Sequence, residues 1–438
     1  MSFNVSDITA RLLTKDATLF EGETAKTSLG WLDHPARYLG GWIEEIETLL
    51  PQNTGRTVLL GMGGSSSPAR FYAEAKDDHS LRVLDTSNPD SIAMTDFSGC
   101  VVIASSKSGT TIETQTLLAH ALANGLDPKN LVVITDPNSS LEELGRSLGA
   151  VVVQGDPYTG GRYSAISPFG LIPALYAGWT VEELRAEHSV VPFNEELVQR
   201  ALEQTAEFTA NAPLTFPLRS NPLRSGSALW LEQLVAETTG KAGLGLVPLW
   251  NEENSPLRPR TIMFWQLVAA LSARELGVDP FNQPNVESAK KSVMSLLLSD
   301  EIHPSSFGTE SDVRTSFKEA AVRELNVYCP IENDIQVERL QFEIKAAYGD
   351  TSANIGPRYL HSTGQLFKGG PTSLSTLQVV VRPQSSPVRI AGRKYSFHDL
   401  FYAQAIGDLE AMKASSRTVW QIVVDDFEEV RPLLDLSF

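Results

Sequence analysis

Cysteine is nearly absent: Cys100 and Cys329 are the only two in 438 residues, and neither belongs to a Cys-x-x-Cys pair. Two are too few for a disulfide framework and point to reduced thiols in a cytosolic protein. No uninterrupted apolar run has transmembrane length, and Met1-Ser2-Phe3-Asn4-Val5 lacks the basic, then apolar, layout of a signal peptide. A cytoplasmic chain without a membrane partner is therefore expected. Basic residues are also scarce, with 36 Lys and Arg against 53 Asp and Glu for a net charge of −17. Nucleic acid needs basic surface to neutralise its phosphates, so it is excluded as a partner. A small phosphate ester is not, because a few local donors suffice for it. No His, Cys, Asp or Glu spacing suggests a metal site. What remains, 42% hydrophobic and 20% charged, is the composition of a globular protein with a large core, and the length suggests two or three domains.

Three loops of small residues stand in fixed order between 58 and 175: Gly61-Met62-Gly63-Gly64-Ser65-Ser66-Ser67, Ser105-Ser106-Lys107-Ser108-Gly109-Thr110-Thr111 and Gly160-Gly161-Arg162-Tyr163-Ser164. The first two follow β-branched apolar runs and precede helix-like stretches. Helix N-termini and free backbone N–H groups then face one edge of a parallel sheet, which holds an anion. Four hydroxyls and the Lys107 ammonium within 106–111 make that anion a phosphate. The same residues also suit a capped helix start, with Thr110 or Thr111 as cap. The first loop is neither GxGxxG nor GxxxxGK[ST], so neither a dinucleotide site nor a P-loop is expected.

Residues 1–50 read as a helical lead-in, with apolar residues at helical spacing over 8–13 and 42–50. Strands are expected at 57–60, 81–84, 101–104, 131–135 and 151–154, alternating with helices at 68–75, 111–123 and 140–148. Such alternation makes parallel βαβ units with helices on both faces. Residues 181–210 read as acidic helix, and 213–222 as a proline-punctuated connector. A second alternating region follows, with helices at 226–239, 259–276 and 397–414 and strands at 244–249, 324–329, 377–381 and 419–424. A loop is expected at 299–312. The domains expected are the lead-in 1–50, a first unit 51–210, and a second unit with a C-terminal extension, 211–438.

Taken together, Gly-x-Gly-Gly-Ser at 61–65, Ser-Lys-Ser-Gly-Thr-Thr-x-Glu-Thr at 106–114 and Gly-Gly-Arg-Tyr-Ser-x-x-Ser at 160–167 resemble the glucose-6-phosphate isomerase family. That family is built from two sugar-isomerase (SIS) domains. Leu231-Glu232-Gln233-Leu234-Val235-Ala236-Glu237-Thr238-Thr239-Gly240-Lys241 resembles the family's Gln-Leu-x-x-Glu-Ser-x-Gly-Lys motif. Pro280-Phe281-Asn282-Gln283-Pro284-Asn285-Val286-Glu287-Ser288-Ala289-Lys290 is similar to its Phe-Asp/Asn-Gln-x-Gly-Val-Glu-x-x-Lys signature. Gly356-Pro357-Arg358-Tyr359-Leu360-His361-Ser362-Thr363-Gly364-Gln365 resembles a segment of the isomerase half of bacterial transaldolase/glucose-6-phosphate isomerase fusions. Here His361 follows Lys290, whereas in the usual isomerase the histidine motif comes first.

The resemblance implies an α/β protein of two SIS-like subdomains, each a parallel-sheet three-layer sandwich, with the helical lead-in and a C-terminal α/β segment. It implies reversible isomerisation of glucose 6-phosphate to fructose 6-phosphate through an enediol, without a cofactor. Proton transfer between C2 and C1 needs a positioned base and a group to hold the developing oxyanion. The expected base is Glu237, with Arg162 stabilising the enediolate. His361 and Lys290 are expected to open the sugar ring. Gly64, Ser65, Ser106, Lys107, Ser108, Thr111, Gly161 and Gln283 are expected to bind the hexose 6-phosphate. A homodimer is implied by the related isomerases, whereas a standalone enzyme of the fusion type would be a monomer. Two other readings stay open: an isomerase with another or dual hexose phosphate specificity, and a non-catalytic SIS module that senses phosphosugars.

Overall fold

The computed structural model describes residues 4–189, 193–210, 215–285, 287–299 and 302–436, with the side chains of 287–290 outside the description. Five parallel strands, β1 (Thr57–Gly61), β2 (Leu81–Leu84), β3 (Val101–Ser105), β4 (Leu131–Thr135) and β5 (Val151–Gln154), form a sheet in the order β2-β1-β3-β4-β5. Each lies within a residue of its expected span. The sequence makes this sheet apolar on both sides. Leu59, Val101, Ile103, Val132 and Ile134 pack into one hydrophobic cluster, while Val58, Leu60, Val102, Ala104 and Val133 enter another on the opposite face. A strand that feeds alternate residues to two cores must be covered by helices on both faces.

Strands β6 (Thr215–Leu218) and β7 (Val247–Trp250) pair as a separate two-stranded sheet. The second parallel sheet consists of β8 (Val322–Tyr328), β9 (Thr351–Gly356), β10 (Leu374–Val381) and β11 (Thr418–Val424) in the order β11-β10-β8-β9. Both parallel sheets set their second strand on one side of the first and the later strands on the other. The α/β class with two parallel-sheet units is therefore the one observed.

Several local expectations are corrected. The connector 213–222 contains β6, because Phe216 and Leu218 turn into the core; residues 213 and 214 lie outside the described ones. The strand expected at 244–249 is shifted to β7, which pairs in parallel with β6 outside the two larger sheets. The helix over 181–210 is two helices, Val181–Ser189 and Glu195–Thr209, with 190–192 outside the described residues. Part of the expected loop 299–312 is the start of helix Glu310–Glu319, closed by a Thr309–Asp312 capping box. Residues 300 and 301 of that loop are not described.

Two buried carboxyls make the fold sensitive to alkali. Glu324 on β8 is wholly buried, receives one hydrogen bond from Thr376 Oγ1 at 2.8 Å and keeps Oε1 without a partner. Burial pushes its pKa up to about 8, and burial does the same to Glu232, against the pull of Arg358. Each folded-state value exceeds that of the unfolded chain, so each group favours the fold fully below the unfolded pKa and loses that contribution as pH rises towards 8. Urea unfolding at pH 6 to 8 should show stability falling by about 1.4 kcal/mol per pH unit for each group. Glu324→Gln should remove one such slope; an unchanged slope would show that this carboxyl is ionised in the fold.

Candidate active site

Strand order in the first sheet reverses between β1 and β3, and a crevice opens there beyond the carboxyl ends of the strands. The loop after β1 enters it with little clearance. A Cβ on Gly63 (φ +56°) would lie 2.3 Å from the carbonyl oxygen of His361, and one on Gly64 would lie 2.2 Å from that of Gly161. These two glycines let segments near 63, 161 and 361 meet.

Beneath them lies the end of helix Gly226–Thr239, every residue of which is buried. Its capping Gly240 is followed by Lys241, which donates to the carbonyl of Asp279 and so secures the segment 279–283 alongside. Asp279 shapes that segment by accepting from the backbone N–H groups of Phe281 at 2.8 Å and Asn282 at 3.3 Å.

Glu237 and Arg162 face each other inside this frame, 4% and 2% exposed. Arg162 Nη1 is 3.4 Å from Glu237 Oε2, Nε donates to Thr238 Oγ1 at 3.1 Å, and Nη2 donates to the carbonyls of Pro280 at 2.7 Å and Asn282 at 3.1 Å. The same Glu237 oxygen is approached by Gln233 Nε2 at 3.4 Å and Gln283 Nε2 at 3.3 Å. Burial raises the proton affinity of Glu237, and Arg162, Gln233 and His361 pull it back. A carboxyl balanced in this way can accept a proton and release it.

Gln233 ties the base to the rest of the crevice. Its Nε2 donates to the His361 carbonyl at 3.0 Å, and its Oε1 accepts from Ser67 Oγ at 2.7 Å. His361 Nε2 lies 2.8 Å from Oε1 of the buried Glu113, at the start of helix Ile112–Ala123. Gln404 of helix Phe397–Ala414 donates to that same oxygen at 2.5 Å. His361 and Glu113 thus meet within one chain, and the histidine holds the Glu113 carboxyl below its ordinary value against the effect of burial. A cavity of about 180 Å³ opens here, lined among others by Ser108, Thr111, Glu113, His361, Lys368 and Gln404.

In the hydroxyl loop, Ser106 Oγ donates to Thr111 Oγ1 at 2.9 Å, and Ser108 faces the cavity. Ser65 is buried in the neighbouring loop. Lys107 does not join this cavity: its ammonium pairs with Asp136 and donates to the carbonyl of Asp156 at 2.8 Å, so the cation expected in the loop is held by the ends of β4 and β5. The side chain of Lys290 lies outside the described residues. Glu113, Gln233 and Gln404 were not among the expected site residues. Glu113 stands inside the second motif, in the first turn of the helix that follows it. Gln404 lies 291 residues from its partner and carries no local signal.

Comparison with known proteins finds relatives that match part of this chain. The glucose-6-phosphate isomerase of Campylobacter jejuni is 28% identical over 216 residues, covering 44% of this chain and 53% of its own length. That of Rubrobacter xylanophilus is 32% identical over 200 residues, covering 41% of this chain and 44% of its own length. Over these segments the chain is similar to glucose-6-phosphate isomerases. It spans about half the length of the curated relatives it matches. No family model matches. Among solved structures, a hypothetical protein of Thermus thermophilus is similar at a TM-score of 0.43 and 19% identity, over 99% of this chain and 86% of that one. The carboxylate–guanidinium pair of Glu237 and Arg162 and the imidazole–carboxylate pair of His361 and Glu113 are two ionisable pairs of the crevice. Among the described residues no helix is long and apolar enough to cross a membrane, and no cluster of His, Cys, Asp and Glu could hold a metal ion.

Proposed function

We propose that this protein interconverts glucose 6-phosphate and fructose 6-phosphate by proton transfer through a cis-enediol. The observation that carries the reading is the buried Glu237 carboxyl, raised in proton affinity and set against the Arg162 guanidinium. Glu237 takes the proton from C2 of the open-chain aldose, leaving its electron pair to form the enediolate, and returns it to C1. Arg162 stabilises the oxyanion in a site shielded from water, where a fixed charge acts strongly. His361, oriented by Glu113, exchanges the ring-opening proton. Lys290 is its proposed partner. Ser106, Ser108 and Thr111, with Ser65 and the backbone of Gly64 and Gly161, hold the phosphate, and Gln283 positions the substrate. In this reading 51–210 and 211–438 are the two SIS-like subdomains, and no cofactor takes part.

A coupled assay with fructose 6-phosphate tests the proposal, and its pH profile tests the base. Because burial raises Glu237, the acid limb of kcat/KM should lie above 4.5, with activity rising as the carboxyl loses its proton. Gln233→Leu removes a donor to the carboxylate and should move that limb further up. Absence of turnover with retained phosphosugar binding would instead support a sensing module. A limb at or below 4.5 would remove Glu237 as the base.

A further inference from the structure

We propose a second anion site in this protein, a basic cleft beyond the far ends of two active-site helices that binds an oligophosphate, free or esterified. The cleft measures about 1050 Å³ and is lined by Arg389, Arg393 and Lys394 together with His303, His398 and Tyr402. On a chain of net charge −17 such a local excess of cations is a departure from the whole. The three cations are exposed, and among the described residues none of them forms an ion pair. Asp399 is the one carboxylate among the described lining residues. It is already engaged at the start of helix Phe397–Ala414, where Oδ2 accepts from Ser396 N and Ser396 Oγ, each at 2.7 Å.

The cations sit on a fixed support. Arg389 and Ser396 form an antiparallel bridge, and Phe397 N donates to the Val388 carbonyl at 2.9 Å. Ile390, 3% exposed, anchors the loop between them in the core. Like charges held together on a pinned loop repel one another unless an anion lies between them, and that repulsion is relieved on binding. His398 lines the same cleft. Its Nε2 is 3.1 Å from the Ser385 carbonyl, and its buried Nδ1 has no partner. The volume exceeds what one phosphate requires and suits a chain of phosphates with or without an attached ring.

The cleft is separate from the hydroxyl loop. Helix Ile112–Ala123 starts beside Glu113 and brings His120 to the cleft in its last turn. Seven residues at 1.5 Å each set the two regions about 10 Å apart. Helix Phe397–Ala414 begins at the cleft and carries Gln404 to Glu113.

Isothermal titration with tripolyphosphate and with metal-free ATP tests the site. Wild-type protein and the Ser108→Ala/Thr111→Ala variant should both bind. The Arg389→Gln/Arg393→Gln/Lys394→Gln variant should bind at least about tenfold more weakly and should retain fructose 6-phosphate turnover. Wild-type affinity should also fall when salt rises from about 50 to 300 mM. Tighter binding of ATP would identify an esterified ligand, and equal binding a free oligophosphate; both support the site. No binding at millimolar ligand, wild-type affinity in the triple variant, or loss of binding only in the Ser108/Thr111 variant would overturn it.

Discussion

Glu237→Gln is expected to lower kcat for fructose 6-phosphate by about 10³-fold while leaving phosphosugar binding within a few-fold of wild type. The substitution preserves the shape of the side chain and the donors around it, namely Arg162 Nη1, Gln233 Nε2 and Gln283 Nε2 at 3.3 to 3.4 Å. What it removes is the ability to accept and return a proton. The proposed phosphate loop, assembled from other residues, is untouched, so KM and inhibitor affinity should hardly move. A drop in kcat with unchanged binding is the pattern of a group that acts in the transition state alone. Folding is not expected to collapse, because Arg162 keeps its contacts with Thr238 and with the carbonyls of Pro280 and Asn282. Turnover within tenfold of wild type would place the base on another residue.

How far the chain reveals itself depends on whether a segment's surroundings are written in its own residues. Strands β1, β3 and β4 are legible because both faces enter apolar clusters, leaving a run of Val, Ile and Leu bounded by small residues. Strand β9 is not, although all six of its residues are buried. It reads Thr-Ser-Ala-Asn-Ile-Gly, and its Asn354 is satisfied by distant partners: Nδ2 donates to Asn326 at 3.1 Å, and Oδ1 accepts from Thr363 at 3.1 Å. Strand β6 is obscured by Pro217, tolerated in a short two-stranded sheet, while Phe216 beside it is wholly buried.

The same distinction runs through the site. Small residues at 61–65 and 160–161 mark where backbones approach, and Gly63 and Gly64 meet their neighbours closely enough to explain the composition. Lys107 illustrates the opposite case. Its neighbours advertise a cation among hydroxyls, but Asp136 and the Asp156 carbonyl, at the ends of the next two strands, compete for the ammonium. Here the ammonium goes to the half-buried Asp136 carboxylate 29 residues away, which local sequence does not disclose.

Arg162→Ala should produce the largest combined loss, destabilising the fold by about 3 to 5 kcal/mol and lowering kcat by about 10² to 10³-fold. The guanidinium is almost wholly buried and serves four partners at once: Glu237, Thr238 and the carbonyls of Pro280 and Asn282. Alanine leaves a buried carboxylate without its cation and two carbonyls without a donor, and segment 279–283 loses two of the hydrogen bonds that hold it. Removal of the Arg162 charge also removes the strongest influence holding the Glu237 proton affinity down, so Glu237 should be protonated over a wider range and the acid limb should move upward. Arg162→Lys separates these effects. A lysine restores the charge at a single point but cannot reach Thr238, Glu237 and both carbonyls together. It should recover the pH profile more fully than kcat, and unfolding should show only partial recovery of stability. If Arg162→Ala unfolds at the wild-type urea concentration with an unshifted acid limb, the guanidinium neither supports this end of the helix nor sets the protonation of Glu237.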